Sequence, residues 1–66
     1  MEIQLNGASH SLAGPCSVAE LLADAGFGER RVAVEVNGAI VPRSAHATHL
    51  LAEGDRVEVV HALGGG

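Results

Sequence analysis

The sequence predicts an α+β fold in which a mixed β-sheet packs against a single helix. Three observations predict it. Five short apolar stretches read as strands, most of them with alternating polar residues. One segment carries a helical apolar stripe behind a capping signal. Asn-Gly and Gly-Asp pairs punctuate the gaps. The order strand, strand, helix, strand, strand, strand is buried economically when the helix covers one face of the sheet.

Met1, Ile3 and Leu5 alternate with Glu2 and Gln4, so the chain opens on a half-buried strand. Asn6-Gly7 is a turn signal because both residues tolerate positive φ. His10 and Leu12 mark a weaker second strand, and Gly14-Pro15 breaks it. Ser17-Val18-Ala19-Glu20 fits a capping box, with Cys16 and Leu21 placed as a hydrophobic staple. Val18, Leu21, Leu22 and Ala25 share one helical face, and Gly26 stops the helix. A polar loop over Gly28–Arg31 leads to a third strand, where Val32, Val34 and Val36 alternate with Ala33 and Glu35. Asn37-Gly38 turns the chain into a short fourth strand, Ala39–Val41, which Pro42 ends because it cannot donate to a ladder. Ser44 to Thr48 reads as a short helical turn and Glu53-Gly54-Asp55 as another turn. Arg56 to His61 is the last strand, with Val57 and Val59 facing inward.

Sixty-six residues make one domain, and a chain of that size buries only about 60% of its unfolded surface. The apolar share is 47%, almost entirely Val, Leu, Ile and Ala, with Phe27 the only aromatic residue. That supports one small core and leaves no room for a deep enclosed active site. Eight acidic residues against four arginines give a net charge of −4. A nucleic-acid binder needs a basic face and stacking aromatics, so that class is excluded. No apolar run approaches the roughly 20 residues of a membrane span. Met1-Glu2 opens a strand directly, so no signal peptide is expected. A single cysteine cannot form an internal disulfide, which makes the reducing cytoplasm the expected compartment. Lysine is absent, so no side-chain amine on this chain can accept an isopeptide bond.

Val59-Val60-His61-Ala62-Leu63 runs straight into Gly64-Gly65-Gly66 with no polar linker between. Glycine without a Cβ makes a thin string that resists ordering. With Leu63 the string reaches roughly 13–14 Å when extended, enough to thread a narrow channel in another protein. A frayed end is the bland alternative.

Other constellations are weaker. His46 and His49 are spaced to meet on a helical turn, but a zinc site needs three or four protein ligands and no third stands nearby. A solvated polar turn accounts for them better. Cys16 lacks an obvious base. Its place beside the helix start favours packing over nucleophilic chemistry, although a helix N-terminus can lower a thiol pKa. The carboxylates form no acid–base pair. Gly26-Phe27-Gly28 is no phosphate loop, since no strand leads into it. Val60 breaks the alternation of the last strand and faces outward. With Ala62 and Leu63 it reads as an exposed apolar patch of the kind that meets partners.

Asn37-Gly38-Ala39-Ile40-Val41-Pro42-Arg43, Glu53-Gly54-Asp55-Arg56-Val57-Glu58-Val59-Val60 and the terminal diglycine resemble the bacterial sulfur-carrier family of thiamine biosynthesis, ThiS. The resemblance spans essentially the whole chain, including the opening strand and the Ser17–Leu22 helix start. The diglycine alone is shared with ubiquitin-like modifiers and with the small subunit of molybdopterin synthase. The Val41-Pro42-Arg43 segment, the short length and the Gly-Asp turn are more specific.

The resemblance implies a ubiquitin-like β-grasp fold over residues 1–63, with the last strand inside the sheet and a flexible glycine tail at 64–66. It implies that a ThiF-type adenylating enzyme uses ATP to activate the Gly66 carboxylate. The acyl adenylate then becomes a thiocarboxylate, with sulfur from a donor protein, and the sulfur passes to thiazole synthase (ThiG). Gly66 would bear the sulfur, and Gly65 and Gly64 would be recognised as the tail. On this reading the chain is a carrier, not an enzyme. It has no catalytic residue, metal or bound cofactor of its own, and ATP belongs to the partner. Val60 and Leu63 are candidate partner contacts from patterning rather than from a motif. The alternatives are a molybdopterin synthase subunit, a protein modifier joined through Gly66, and an interaction module with an inert tail.

Overall fold

The structure, a computed structural model, describes residues 1–28 and 31–61. Glu29 and Arg30 of the expected polar loop, and the segment from Ala62 to Gly66, lie outside them. The elements follow the expected order: β1 (Glu2–Leu5), β2 (Ala8–Ser11), α1 (Val18–Asp24), β3 (Val32–Val36), β4 (Ala39–Val41), a 3-10 turn (Arg43–Ala45) and β5 (Arg56–His61). They form one five-stranded sheet in the order β2-β1-β5-β3-β4. β5 is central, parallel to β1 and antiparallel to β3. The two outer pairs, β1–β2 and β3–β4, are antiparallel hairpins.

Both hairpins turn on Asn-Gly. Asn6 and Gly7 have φ of 52° and 84°, and Asn37 and Gly38 have 53° and 87°. Positive φ at both central residues marks the type I′ turn, whose twist matches the strands it joins.

The helix is fixed at both ends. Ser17 Oγ accepts from the Glu20 N–H at 3.1 Å, and the Glu20 carboxylate accepts from the Ser17 N–H at 2.8 Å. The next orphan donors are taken by the segment before β5. Val18 N–H donates to the His49 carbonyl at 3.0 Å and Ala19 N–H to that of His46 at 2.8 Å. At the other end, Phe27 N–H donates to Leu22 O at 2.8 Å and Gly26 N–H to Ala23 O at 3.3 Å. Gly26 has φ of 90°. These are the two bonds of a Schellman motif, and Phe27 makes its apolar contact by packing on the core. Ala25 is therefore the cap residue rather than part of the buried stripe.

The core lies between helix and sheet. Val18, Leu21 and Leu22 meet Ile3, Val34, Val36, Val41, Val57 and Val59, with Leu12, Cys16 and Leu51 closing the edges. Each such side chain stabilises the fold by about 1.5–3 kcal/mol relative to leaving it in water. Leu12 is buried although β2 ends at Ser11. The expected turn over Ser44–Thr48 begins one residue earlier, as a 3-10 turn from Arg43. Pro42, at φ −65°, sets its entry.

Candidate functional site: the central strand and the open face of the sheet

β5 is the last described element before the glycines in sequence. It is gripped on both flanks by the two turn asparagines. On the β1 side, β1 ends at Leu5 while β5 continues past Val57. Asn6 N–H donates to Val57 O at 2.9 Å, and Asn6 Oδ1 then accepts from Val59 N–H at 2.7 Å. A side-chain amide thus adds one more rung to the parallel ladder. On the β3 side, Asn37 N–H donates to Arg56 O at 2.7 Å and Asn37 Oδ1 accepts from Arg56 N–H at 2.9 Å. Asn37 Nδ2 donates to Asp55 Oδ1 at 2.9 Å, and Asp55 Oδ2 accepts from Ala52 N–H at 2.8 Å. The entry to β5 is thereby locked to the turn before it.

At its far end β5 carries His61, whose ring lies 5.9 Å from that of Phe27 at a 54° tilt. The helix terminus and the end of β5 therefore meet. Val60 is 58% exposed, as its break in alternation predicts. Leu63, Gly64, Gly65 and Gly66 lie outside the described residues.

Val60 is not isolated on the open face of the sheet. Its partner in β3 is Ala33, also exposed, and one row further Glu58 stands opposite Glu35. Glu35 in turn faces Ile40 of β4, which is 63% exposed. Sequence reasoning placed Ile40 in a strand without assigning its face. The buried Val41 beside it, read with a period of two, is the signal that finds it. Leu50, 66% exposed beside the helix start, was also missed. It sits in an irregular stretch where no period applies.

The remaining candidates are structural. Cys16 is buried, and its Sγ–H donates to Ser17 O at 3.4 Å. Burial pushes the thiol pKa up, and Glu20 and Asp24 push it further. The direction is upward, opposite to that of a thiol activated at a helix N-terminus, so Cys16 packs rather than attacks. His46 is half-buried, with Nε2 3.1 Å from Val41 O. A carbonyl only accepts, so Nε2 carries the proton and is engaged in structure. No group of three potential metal ligands occurs among the described residues. His10 Nε2 lies 3.4 Å from Asp24 Oδ2, aligned too poorly for a hydrogen bond. The cleft beside Cys16, about 430 Å³ and lined in part by Ser11, Pro15, Glu20 and Asp24, opens broadly to solvent. No helix among the described residues is long and apolar enough to cross a membrane.

A single main helix cradled by a mixed five-stranded sheet, with the last strand at its centre, defines a β-grasp protein of the ubiquitin-like kind. The profile of the ThiS family matches residues 3–66, and the chain belongs to that family. The crystal structure of the thiamine biosynthesis protein ThiS from Geobacter metallireducens superimposes with a TM-score of 0.86 at 32% identity, covering 100% of both chains. A thiazole synthase of Magnetococcus marinus is 42% identical over 66 residues, which is 100% of this chain and 20% of that protein. A thiazole synthase of Paramagnetospirillum magneticum is 38% identical over the same 66 residues, again 20% of its length. The chain thus spans about a fifth of the length of these two thiazole synthases.

Proposed function

We propose that the chain is a sulfur carrier in the cytoplasmic biosynthesis of thiamine, loaded at Gly66 and discharged to thiazole synthase. The observation that carries the reading is family membership across residues 3–66, which takes in the glycines. The names of the two thiazole synthases that carry a segment like this chain support that acceptor.

The chemistry follows from the terminus. An α-carboxyl has a pKa of about 3.3–3.7, so at neutral pH it is an anion and a poor electrophile. A ThiF-type enzyme would transfer AMP from ATP to the Gly66 carboxylate, releasing pyrophosphate and creating a leaving group. Sulfur from a donor protein would then attack the acyl carbon and expel AMP. Where the donor is a persulfide, a thiol would cut the resulting acyl disulfide and be oxidised to a disulfide itself, leaving the thiocarboxylate on Gly66. Gly66 keeps the carbonyl unhindered, and Gly65 and Gly64 let the partner's backbone close around the tail. Val60 and Leu63 are the proposed apolar contacts to the partners. The chain acts as a handle, and its partners supply the catalysis.

The test is mass spectrometry of the C-terminal peptide after incubation with the adenylating enzyme, ATP and a sulfur source. Exchange of oxygen for sulfur nearly equals one oxidation in mass, so the change must be localised to Gly66 rather than Met1 or Cys16. A thiocarboxylate dependent on ATP and on Gly66 is expected. Gly66→Ala should be activated more slowly. An unmodified tail, under conditions that load a known carrier, would reject the reading.

A further inference from the structure

Glu35 and Glu58 are direct partners in the β3–β5 ladder. Their neighbours Val34, Val36, Val57 and Val59 are all buried under the helix. By alternation both carboxylates therefore stand on the opposite, open face of the sheet. Directly opposed residues hold their Cβ atoms about 4.5–5.5 Å apart, and like charges there are destabilising. Among the described residues neither carboxylate forms a salt bridge that would cancel this repulsion. Arg56, two residues before Glu58 on the same face, stands opposite Gln4 of β1 and makes no ion pair among the described residues either.

The frame around the acidic pair is apolar. Ile40 flanks Glu35 from β4, and Val60 follows Glu58 along β5 with Ala33 opposite it. Ile40 and Val60 are 63% and 58% exposed. Two carboxylates without a cation partner among the described residues, in the middle of a sheet and bordered by exposed aliphatic side chains, complement a single cation carried on an apolar surface. A guanidinium suits the place better than an ammonium. Its planar fork can bridge two carboxylates, and it gives up its hydration more readily.

We propose that this face of β4–β3–β5 docks on thiazole synthase by taking one arginine side chain between Glu35 and Glu58, with Ile40 and Val60 sealing the contact from water. The inference rests on the reading of thiazole synthase as sulfur acceptor. β5 carries Glu58 and Val60 and continues in sequence into the glycine tail, so this face is the part of the described fold next in the chain to the group that the acceptor takes. Excluding water strengthens the attraction between guanidinium and carboxylates. A surface without the cation would leave the two acids buried and repelling, so the pair also rejects wrong partners.

The experiment compares wild type with Glu35→Gln and Glu58→Gln in two measurements. One is thermal unfolding of the chain alone. The other is calorimetric affinity for the thiazole synthase of the same organism at low and moderate salt. Relief of the repulsion should raise the unfolding midpoint of each variant by a few degrees. Loss of one carboxylate should weaken binding by about tenfold or more, most clearly at low salt. Stability up with affinity down is the signature expected. Unchanged or tighter binding by the Gln variants overturns the proposal and leaves the carrier reading intact, as does a midpoint that stays or falls. No binding by wild type overturns the acceptor reading and the docking proposal together, while the thermal measurement still reads the acidic pair by itself.

Discussion

The side-chain carbonyl of Asn6 accepts a 2.7 Å hydrogen bond from the backbone N–H of Val59, 53 residues further along the chain. Val59 is buried, so its N–H would otherwise have lacked a partner once β1 ends. The same residue holds φ at 52° in the turn. Two substitutions separate these roles. Asn6→Gly keeps the turn and loses only the rung, whereas Asn6→Ala loses the rung and strains the turn. Stranding a buried N–H costs about 1–3 kcal/mol. That corresponds to at least about 4–8 °C in the unfolding midpoint of a domain this small. Hydrogen exchange should accelerate selectively at Val59 in both variants. Equal protection of Val59 in wild type and Asn6→Gly would show that the rung contributes nothing.

Ser17 supports the other end of the architecture. Its hydroxyl and the Glu20 carboxylate complete the capping box, and its backbone bridges Leu50. Ser17→Ala leaves the Glu20 N–H without its acceptor, at a cost of about 0.5–2 kcal/mol. A chain of this length has a stability of only about 3–10 kcal/mol, so the loss is a sizeable fraction. The urea midpoint should fall with an unchanged slope, and Ser17→Thr should restore most of it. A midpoint for Ser17→Ala equal to wild type would mean that the cap is not limiting.

The elements were legible because their signals are local. Ser17-x-x-Glu20 names a helix start, Asn6-Gly7 and Asn37-Gly38 name turns, and the Val32–Val36 alternation names a strand. The second use of the two asparagines was not legible. The sequence places Asn6 beside Gly7, but only the parallel pairing of β1 with β5 brings it to Val59. The acidic pair was hidden for the same reason. Glu35 and Glu58 are 23 positions apart and become opposed only through the β3–β5 register. Local periodicity gives the face of a residue, as it did for Val60, but not its cross-strand neighbour.

The edge hairpin supplies a prediction about pH. Ser11 Oγ–H donates to Glu2 Oε2 at 2.8 Å and Ser9 Oγ–H to Oε1 at 2.9 Å. These bonds, Ser11 first, hold the Glu2 carboxyl below the usual carboxylate range. A carboxyl with a depressed folded pKa stabilises the fold above its unfolded value, and that contribution is lost as pH falls through the folded value. Ser11→Ala should raise the Glu2 pKa, and adding Ser9→Ala should return it close to the ordinary value. The wild type and the double variant should differ in stability at neutral pH and converge in acid, once Glu2 is protonated in both. Because Glu2 is exposed, the difference will be small. NMR titration of the Glu2 side-chain carboxyl carbon reads it directly, and an unmoved pKa in the double variant would refute the assignment.

Cys16 gives the most direct test of the view that this domain carries no chemistry of its own. Its thiol is buried in the staple position, and burial, then Glu20 and Asp24, raise its pKa above the ordinary thiol value. The thiolate is the reactive form, so both access and ionisation protect it. Iodoacetamide at neutral pH should label the folded chain far more slowly than the denatured chain. Labelling of the folded chain should follow the rate of opening rather than the fraction of thiolate. The shift also has a sign in stability. A folded thiol pKa above the unfolded one favours the fold fully below the unfolded value, and the advantage fades as pH rises through the folded value. Destabilisation by Ser17→Ala should speed labelling in proportion to its effect on opening, because the cap and the thiol sit on the same helix start. Rapid labelling of the stable wild-type fold would instead mark Cys16 as an accessible nucleophile, a second place for sulfur beside the one proposed at Gly66.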